Sequence, residues 1–423
     1  MIRKLPLFLS LLGLQAPIWA QSPPTEAPAG FDTPTLVQSP GSQSSSNGLI
    51  EPPGDRFSLD QQHYETTHDV NDGLGPVFNA RACSDCHQNP VSGGASQFTE
   101  LRAGHRDSTG TFVNPTIPID DGAASIGGRS IVDDRAVIPQ AQERIPPTEH
   151  LRELRAALGT LGDGFVESID DATLLGIAAQ QPQLSRGRIH GEAIQVPIFE
   201  APGQTRVGRF GWKDQHGSLL SFAADAYLNE MGITSRLRMT DTTTIGKVTS
   251  DPEDTPDNLG LADIDHFAQF IRATKVPPRD PTLQATASAL AGQQLFQKIG
   301  CAVCHVPTFV TAKPGTAING GAFVVPDALG NKIIHPYGDY LLHNLETAGG
   351  IVQTPQFQDT AFKLRTSALW GLRTRPRFMH DLLSLTLENA IERHRGEAEE
   401  VTRRFLELTD TERQQVLSFL DSL

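Results

Sequence analysis

All four cysteines of this 423-residue chain fall in two copies of one pattern, Cys83-Ser84-Asp85-Cys86-His87 and Cys301-Ala302-Val303-Cys304-His305. Two thiols one helical turn apart, followed at once by an imidazole, form the attachment pattern of a c-type haem. The thiols are spaced to make thioethers to the two vinyl groups of one porphyrin, and the imidazole then reaches the iron from one face. A thioredoxin-like C-x-x-C needs no following histidine, and a zinc site built from both pairs needs cysteines from distant parts of the chain. Two covalently attached haems are expected, held by Cys83, Cys86 and His87 and by Cys301, Cys304 and His305. No thiol is left for a disulfide.

The passages around the motifs are alike. GLGPVFNARACSDCHQNP and AGQQLFQKIGCAVCHVP each place a Phe five positions before the first cysteine, Phe78 and Phe296, with Gly75 or Gly292 shortly upstream. They read as one unit used twice.

Arg3 and Lys4 precede an apolar run from Leu5 to Leu14, and Ala20 offers a small residue for cleavage. This is the pattern of a secretory signal over 1–20, too short for an ordinary spanning helix. A periplasmic protein with no transmembrane segment in the mature chain is expected, in a compartment outside the cytoplasm where haem is joined to cysteines, with an uncleaved N-terminal anchor as the alternative. Residues 21–54, rich in Pro, Ser, Gly and Thr, are expected to form a disordered linker. The formal charge of −14 grows by two units when the leader leaves, which argues against nucleic acid as a partner and is compatible with a small basic protein.

Further along, Thr148–Leu158 reads as a helix with Leu151, Leu154 and Leu158 on one face, and Asp171 to about Gln180 as a second. Alternation at Ile194, Val196 and Ile198 predicts a strand, and Asp241–Asn258 a polar loop. Another helix is expected over Asp263–Thr274, and the Pro277-Pro278 break marks a boundary, giving domains over 55–278 and 279–423. The second domain opens with a helix from about Leu283 to Ile299. It closes with one capped by Thr409 and Glu412, with Val416, Phe419, Leu420 and Leu423 on its apolar face.

What sits on the far side of each iron decides the function, because two strong axial ligands leave only electron transfer whereas an open position binds a small oxidant. If Thr386 caps a helix, Leu387, Ala390, Ile391 and His394 share one face, which aims the His394 imidazole inward as an axial ligand. Met379 and His380 are the competing candidates, and a Met ligand gives a higher potential than His. Arg373, Arg375 and Arg377 alternate in a way that suits pairing with haem propionates or an exposed basic loop.

The stretches GLGPVFNARACSDCH, GRFGWKDQHGSLLSFAADAYLNEMGIT, QLFQKIGCAVCHVP and LWGLRTRPRFMHDLLSLTLENAIERHRGE resemble the di-haem oxidoreductases, also labelled thiol oxidoreductases or peroxidases. These stand in the superfamily of bacterial di-haem cytochrome c peroxidases and MauG-type enzymes. The resemblance runs from about residue 57 to 423. It implies a mainly α fold, two cytochrome-c-like haem domains with long loops and a little β. It implies that electrons from a small donor protein, such as a cytochrome c or cupredoxin, enter at the C-terminal haem and reduce peroxide or another small oxidant at the N-terminal one. Glu230, in the pair Glu230-Met231, matches the acid/base on bound peroxide, and Trp212 the tryptophan between the haems.

His394 stands where the superfamily places its C-terminal distal ligand, methionine in most peroxidases and tyrosine in MauG. The glycine usual after the His-Asp pair is absent, since Leu382 follows Asp381. His105 is the one candidate for a switchable distal ligand on the first haem, which is otherwise open. Superfamily members often carry calcium, but no oxygen-ligand loop specific enough to hold it stands out. The alternatives to a peroxidase are a non-catalytic electron-transfer protein and MauG-like oxidation of a protein or organic substrate.

Overall fold

The computed structural model describes residues 23–31, 47–49, 56–120, 125–243, 245–247 and 251–423; the expected leader lies outside them. In chain order the helices are α1 (Phe57–Glu65), α2 (Cys83–Cys86), α3 (Asp163–Glu167), α4 (Asp171–Leu184), α5 (Leu219–Met231) and α6 (Asp263–Ala273). After the Pro277-Pro278 break come α7 (Ala287–Ile299), α8 (Leu387–Glu392), α9 (Glu399–Leu406) and α10 (Asp410–Leu420).

The expectation of a mainly α chain is overturned: 32% of residues are helical and 16% lie in strands, spread over many small sheets. The largest is built on strand Thr99–Arg106, which pairs with Phe112–Val113, Ile131–Val132 and Leu151–Ala156. The last of these falls inside the expected helix Thr148–Leu158. Its antiparallel register runs from Thr99 opposite Ala156 to Gly104 opposite Leu151. The leucine spacing misleads here because the buried side chains are Glu153 and Arg155, which neutralise each other through Arg155 Nε–Oε1 at 2.6 Å, while Leu154 is 40% exposed. A buried ion pair thus takes the inward positions that an apolar periodicity assigns to leucine.

The helices with clean stripes form where expected. Ile264, Phe267, Ala268 and Ile271 make one buried face of α6, which packs with α1, α3 and α5 in the main core around Phe165, Phe210, Tyr227 and Phe270. Thr409 and Glu412 close a capping box on α10, whose Val416, Phe419 and Leu420 meet Leu295, Phe296 and Ile299 of α7. The crossing requires Gly292, where a Cβ would stand 1.8 Å from the Gln415 carbonyl oxygen.

Two further differences concern the motif regions. Phe78 lies in a short strand paired with Arg135–Ala136, whereas Phe296 lies in α7, so the similar passages adopt different local structures. Within the segment expected to be a linker, Thr25 and Glu26 pair in parallel with Lys332 and Ile333, and Ala29 bridges Val276.

Candidate active site

The first motif forms α2, with His87 as the residue that ends it, at the edge of a cavity of about 850 Å³. Burial pushes the Cys86 thiol up to about 12 and His87 down to about 4. His87 is therefore a neutral imidazole at neutral pH, the form that ligates a metal. Its Nδ1 is buried with no partner of normal hydrogen-bond geometry, although the backbones of Leu158 and Gly94 lie close enough to favour its protonated form.

Glu230 enters the same cavity from the last turn of α5. That turn is pinned to the segment before the motif: Gly75 N–H donates to the Met231 carbonyl at 2.9 Å, and Asn79 and Ala80 N–H donate to the Glu230 carbonyl at 2.8 and 3.1 Å. Gly232 ends the helix at φ 72°, and a Cβ there would lie 2.6 Å from the Gly75 oxygen. The Glu230 carboxyl takes a hydrogen bond from Asn79 Nδ2 at 3.2 Å and stands 4.0 Å from Arg102 Nη2. Burial, and then the negative charge of Glu100, push it well above the usual carboxylate range. Burial alone would raise Glu100 as well, but the Arg102 guanidinium outweighs it and holds Glu100 low.

Among the described residues lining this first cavity, His87 is the one histidine. His105 is elsewhere, on the strand Thr99–Arg106, with Nδ1 2.8 Å from Glu149.

The second motif lies beside a tighter cavity of about 210 Å³, walled by Phe296, Leu387, Ile391, Phe405 and Leu420. His305 Nδ1 is 3.0 Å from the Tyr337 carbonyl, and His394 Nδ1 is 2.7 Å from the Ala390 carbonyl. In each ring Nδ1–H donates, which leaves Nε2 as the bare nitrogen. The ring centroids are 6.4 Å apart. Burial, reinforced by the neighbouring His394, pushes His305 down to about 4, and burial lowers His394 too. Thr386 caps α8 as expected, but the helix ends at Glu392, so His394 reaches the cavity from just past its end. Met379 and His380 also line this cavity.

The two cavities share a wall that includes Trp212, Arg365, Arg377 and Leu382. Trp212 Nε1–H donates to the Ala156 carbonyl at 2.7 Å, which fixes the indole, and Arg365 N–H donates to the Trp212 main-chain carbonyl at 2.9 Å. His380 meets it edge to face at 6.0 Å. Arg375 lines the second cavity, while Arg373 turns away to the Pro278 carbonyl.

Sequence reasoning missed Glu100 and Arg102. Their i, i+2 spacing puts both on one face of a strand, a signal open only to a reading that places a strand there. It also missed His343, whose ring nitrogens lie 2.9 Å from Asp339 and 3.0 Å from Glu397, beside Cys304 Sγ at 3.8 Å. Asp241, Asp251 and Glu253 converge as a cation site would, but the Lys247 ammonium stands among them, 2.6 Å from Asp241.

A family model described as "Di-haem oxidoreductase, putative peroxidase" matches residues 144–423. The chain belongs to this family. Haem is therefore the cofactor class of this di-haem oxidoreductase, and oxidation–reduction its chemistry. The matched span holds Trp212, Glu230, the second motif and His394; the first motif precedes it. No curated protein sequence matches. Among solved structures, hydrazine synthase of Kuenenia stuttgartiensis pressurised with 20 bar xenon is 12% identical, with 99% of this chain and 100% of that chain covered and a TM-score of 0.39. A MauG-like protein associated with microbial copper homeostasis is 15% identical, covers 93% and 95%, and has a TM-score of 0.38. No helix among the described residues of the oxidoreductase is long and apolar enough to cross a membrane.

The residues present fit haem. One metal atom held between two imidazole nitrogens at about 2 Å each requires ring centroids about 6 Å apart, and His305 and His394 supply 6.4 Å. The first cavity has the volume of a cofactor pocket, ~300–1,000 Å³. Arg155 Nη2 and Arg365 Nε on the cavity walls are buried without hydrogen-bond partners, an unsatisfied state that the carboxylates of a porphyrin would relieve.

Proposed function

We propose that this protein is a periplasmic di-haem c-type oxidoreductase of peroxidase type. Cys83, Cys86 and His87 would hold one haem, and Cys301, Cys304, His305 and His394 would hold the other. When bound, the haems supply electron relay from the C-terminal site and reduction of peroxide or another small oxidant at the N-terminal site. The observation that carries this reading is the asymmetry of the two sites. A second neutral imidazole faces His305, whereas the His87 cavity is lined by Glu230 and by no further histidine among the described residues.

The chain's own groups have distinct tasks. Reduction of peroxide to two waters takes up two electrons and two protons, and Glu230 delivers a proton at the cavity wall. Trp212, fixed by Ala156, fills the wall between the cavities and keeps water out of it. An acidic mature surface favours a small basic donor, a cytochrome c or cupredoxin, with donor reactivity falling steeply as salt is added.

The test is a spectroscopic titration of the purified holoprotein with reductant and then peroxide. One low-spin haem and one high-spin haem that responds to peroxide are expected. Two unchanging low-spin haems indifferent to peroxide would overturn the proposal in favour of a non-catalytic electron carrier. Long-lived high-valent species without turnover would favour oxidation of a protein or organic substrate instead.

A further inference from the structure

Where Glu230 enters the first cavity, two carboxyl groups, Glu230 and Glu100, lie within reach of one guanidinium, Arg102. Arg102 donates from Nε to Glu100 at 2.7 Å and pairs with it through Nη2, while it only approaches Glu230, at 4.0 Å. Glu230's other oxygen is taken by Asn79 Nδ2. The remaining charges around the pair come from other elements: Arg155 on Leu151–Ala156 acts on Glu100, Asp133 on Glu230, and Asp225 of α5 on Arg102. Asp133 shares Arg129 with Glu143, each 2.9 Å from Nη2, and burial pushes the Asp133 carboxyl up to about 6. Arg155 is already paired with Glu153 at 2.6 Å, which leaves Arg102 as the cation close to both carboxyl groups. One guanidinium does not balance two ionised carboxylates in a poorly solvated pocket, and like charges so placed share a proton.

We infer that Glu100 is the positioning partner of Glu230: the two hold one proton between them, borne on Glu230 and donated to Glu100, with Arg102 fixing which of the two is ionised. The inference rests on the proposed peroxidase reading and adds to it. The resting cavity then carries an acid, Glu230, backed by a hydrogen-bonded base that reprotonates it. As the O–O bond breaks, Glu230 gives its proton to the departing oxygen and becomes a carboxylate. Two protons enter from solvent, one restoring the pair through Glu100 and one completing the second water, and the two electrons come from the donor protein.

The experiment compares wild type, Glu230→Gln and Glu100→Gln as ferric holoproteins at pH 7, by the infrared band of protonated carboxyls and its shift in D₂O. Glu230→Gln is expected to remove one carboxyl's worth of that band. Glu100→Gln is expected to remove the same amount, because Glu230 without its partner ionises against Arg102. Peroxide consumption in Glu100→Gln should fall about a hundredfold, within the range for a positioned acid or base, with haem content unchanged. A band that survives Glu100→Gln, or that Glu230→Gln leaves untouched, overturns the shared proton. If Glu100→Gln does not fold, the Glu230→Gln difference still decides whether that proton exists. Band losses as expected in a wild-type protein inert to peroxide would keep the carboxyl pair and overturn the peroxidase reading alone.

Discussion

His305 and His394 face each other with ring centroids 6.4 Å apart, and each ring is anchored through Nδ1 on a main-chain carbonyl. Both are neutral because burial disfavours their charge, so neither must shed a proton to ligate a metal. His394→Ala should convert the C-terminal haem from low-spin to high-spin. Electron paramagnetic resonance of the ferric holoprotein reads this directly, and an unchanged spectrum would return the ligand role to Met379 or His380.

Glu230 is held by its own main chain on the segment leading to the first motif, so its replacement alters chemistry more than structure. Glu230→Gln is expected to slow peroxide turnover by about 10²–10⁴, the usual contribution of a positioned acid or base. Pyridine haemochrome content should remain at two haems per chain. A rate within a factor of two of wild type would exclude Glu230 from proton delivery.

Trp212 lines both cavities. Trp212→Phe removes the Nε1–H bond to Ala156 and thins the wall. Electron transfer between the haems, followed after flash or stopped-flow reduction of one site, should slow by about tenfold if the loosened wall weakens the path by the roughly 1.4 kcal/mol that such a factor represents. Transfer at the wild-type rate would confine the residue to packing.

Asp263 accepts from His63 Nδ1 at 2.7 Å, from His68 Nε2 at 3.2 Å and from the Tyr227 hydroxyl at 2.8 Å. Burial would raise its carboxyl, but hydrogen bonds from His63, His68 and Tyr227 outweigh that and hold it far below the usual range. A folded value below the unfolded one means that its contribution is complete above about pH 4 and is lost as pH falls through the folded value. Asp263→Asn should cost about 2 kcal/mol at pH 7, the scale of hydrogen bonds to a charged group. In denaturant unfolding the gap between variant and wild type should narrow towards pH 3; a gap independent of pH would contradict this assignment.

Gly292→Ala should destabilise by about 1–3 kcal/mol through overpacking of the α7–α10 crossing, seen as a lower thermal midpoint. Gly75, the glycine shortly upstream of the first motif, is needed for a different reason: φ is 99° and a Cβ would meet Val137 at 2.5 Å.

That contrast shows how far the chain could be read from its residues. The short helix Cys83–Cys86 at the first C-x-x-C-H pair, and α6, α7 and α10, were legible because each rests on local spacing: two cysteines one turn apart, or an apolar stripe with its cap. The strand Leu151–Ala156 was not, because its partner strand is remote in sequence and its buried side chains are Glu153 and Arg155. The same non-locality hid Glu100 and Arg102, whose significance depends on the end of α5 arriving beside them. His394 was legible as an inward-facing residue, although the helix that carries the pattern stops short of it.

The strand Thr25–Glu26 can pair only after Lys332 and Ile333 exist, so its hydrogen bonds close one of the longest loops in the chain. Contacts of such separation form late, after the local helices. During synthesis the first motif therefore emerges long before this clasp is fastened. The clasp in turn makes the N-terminal segment a reporter of completed assembly: a protease that cuts between residues 23 and 31 would distinguish chains whose last third has folded from those still unfinished.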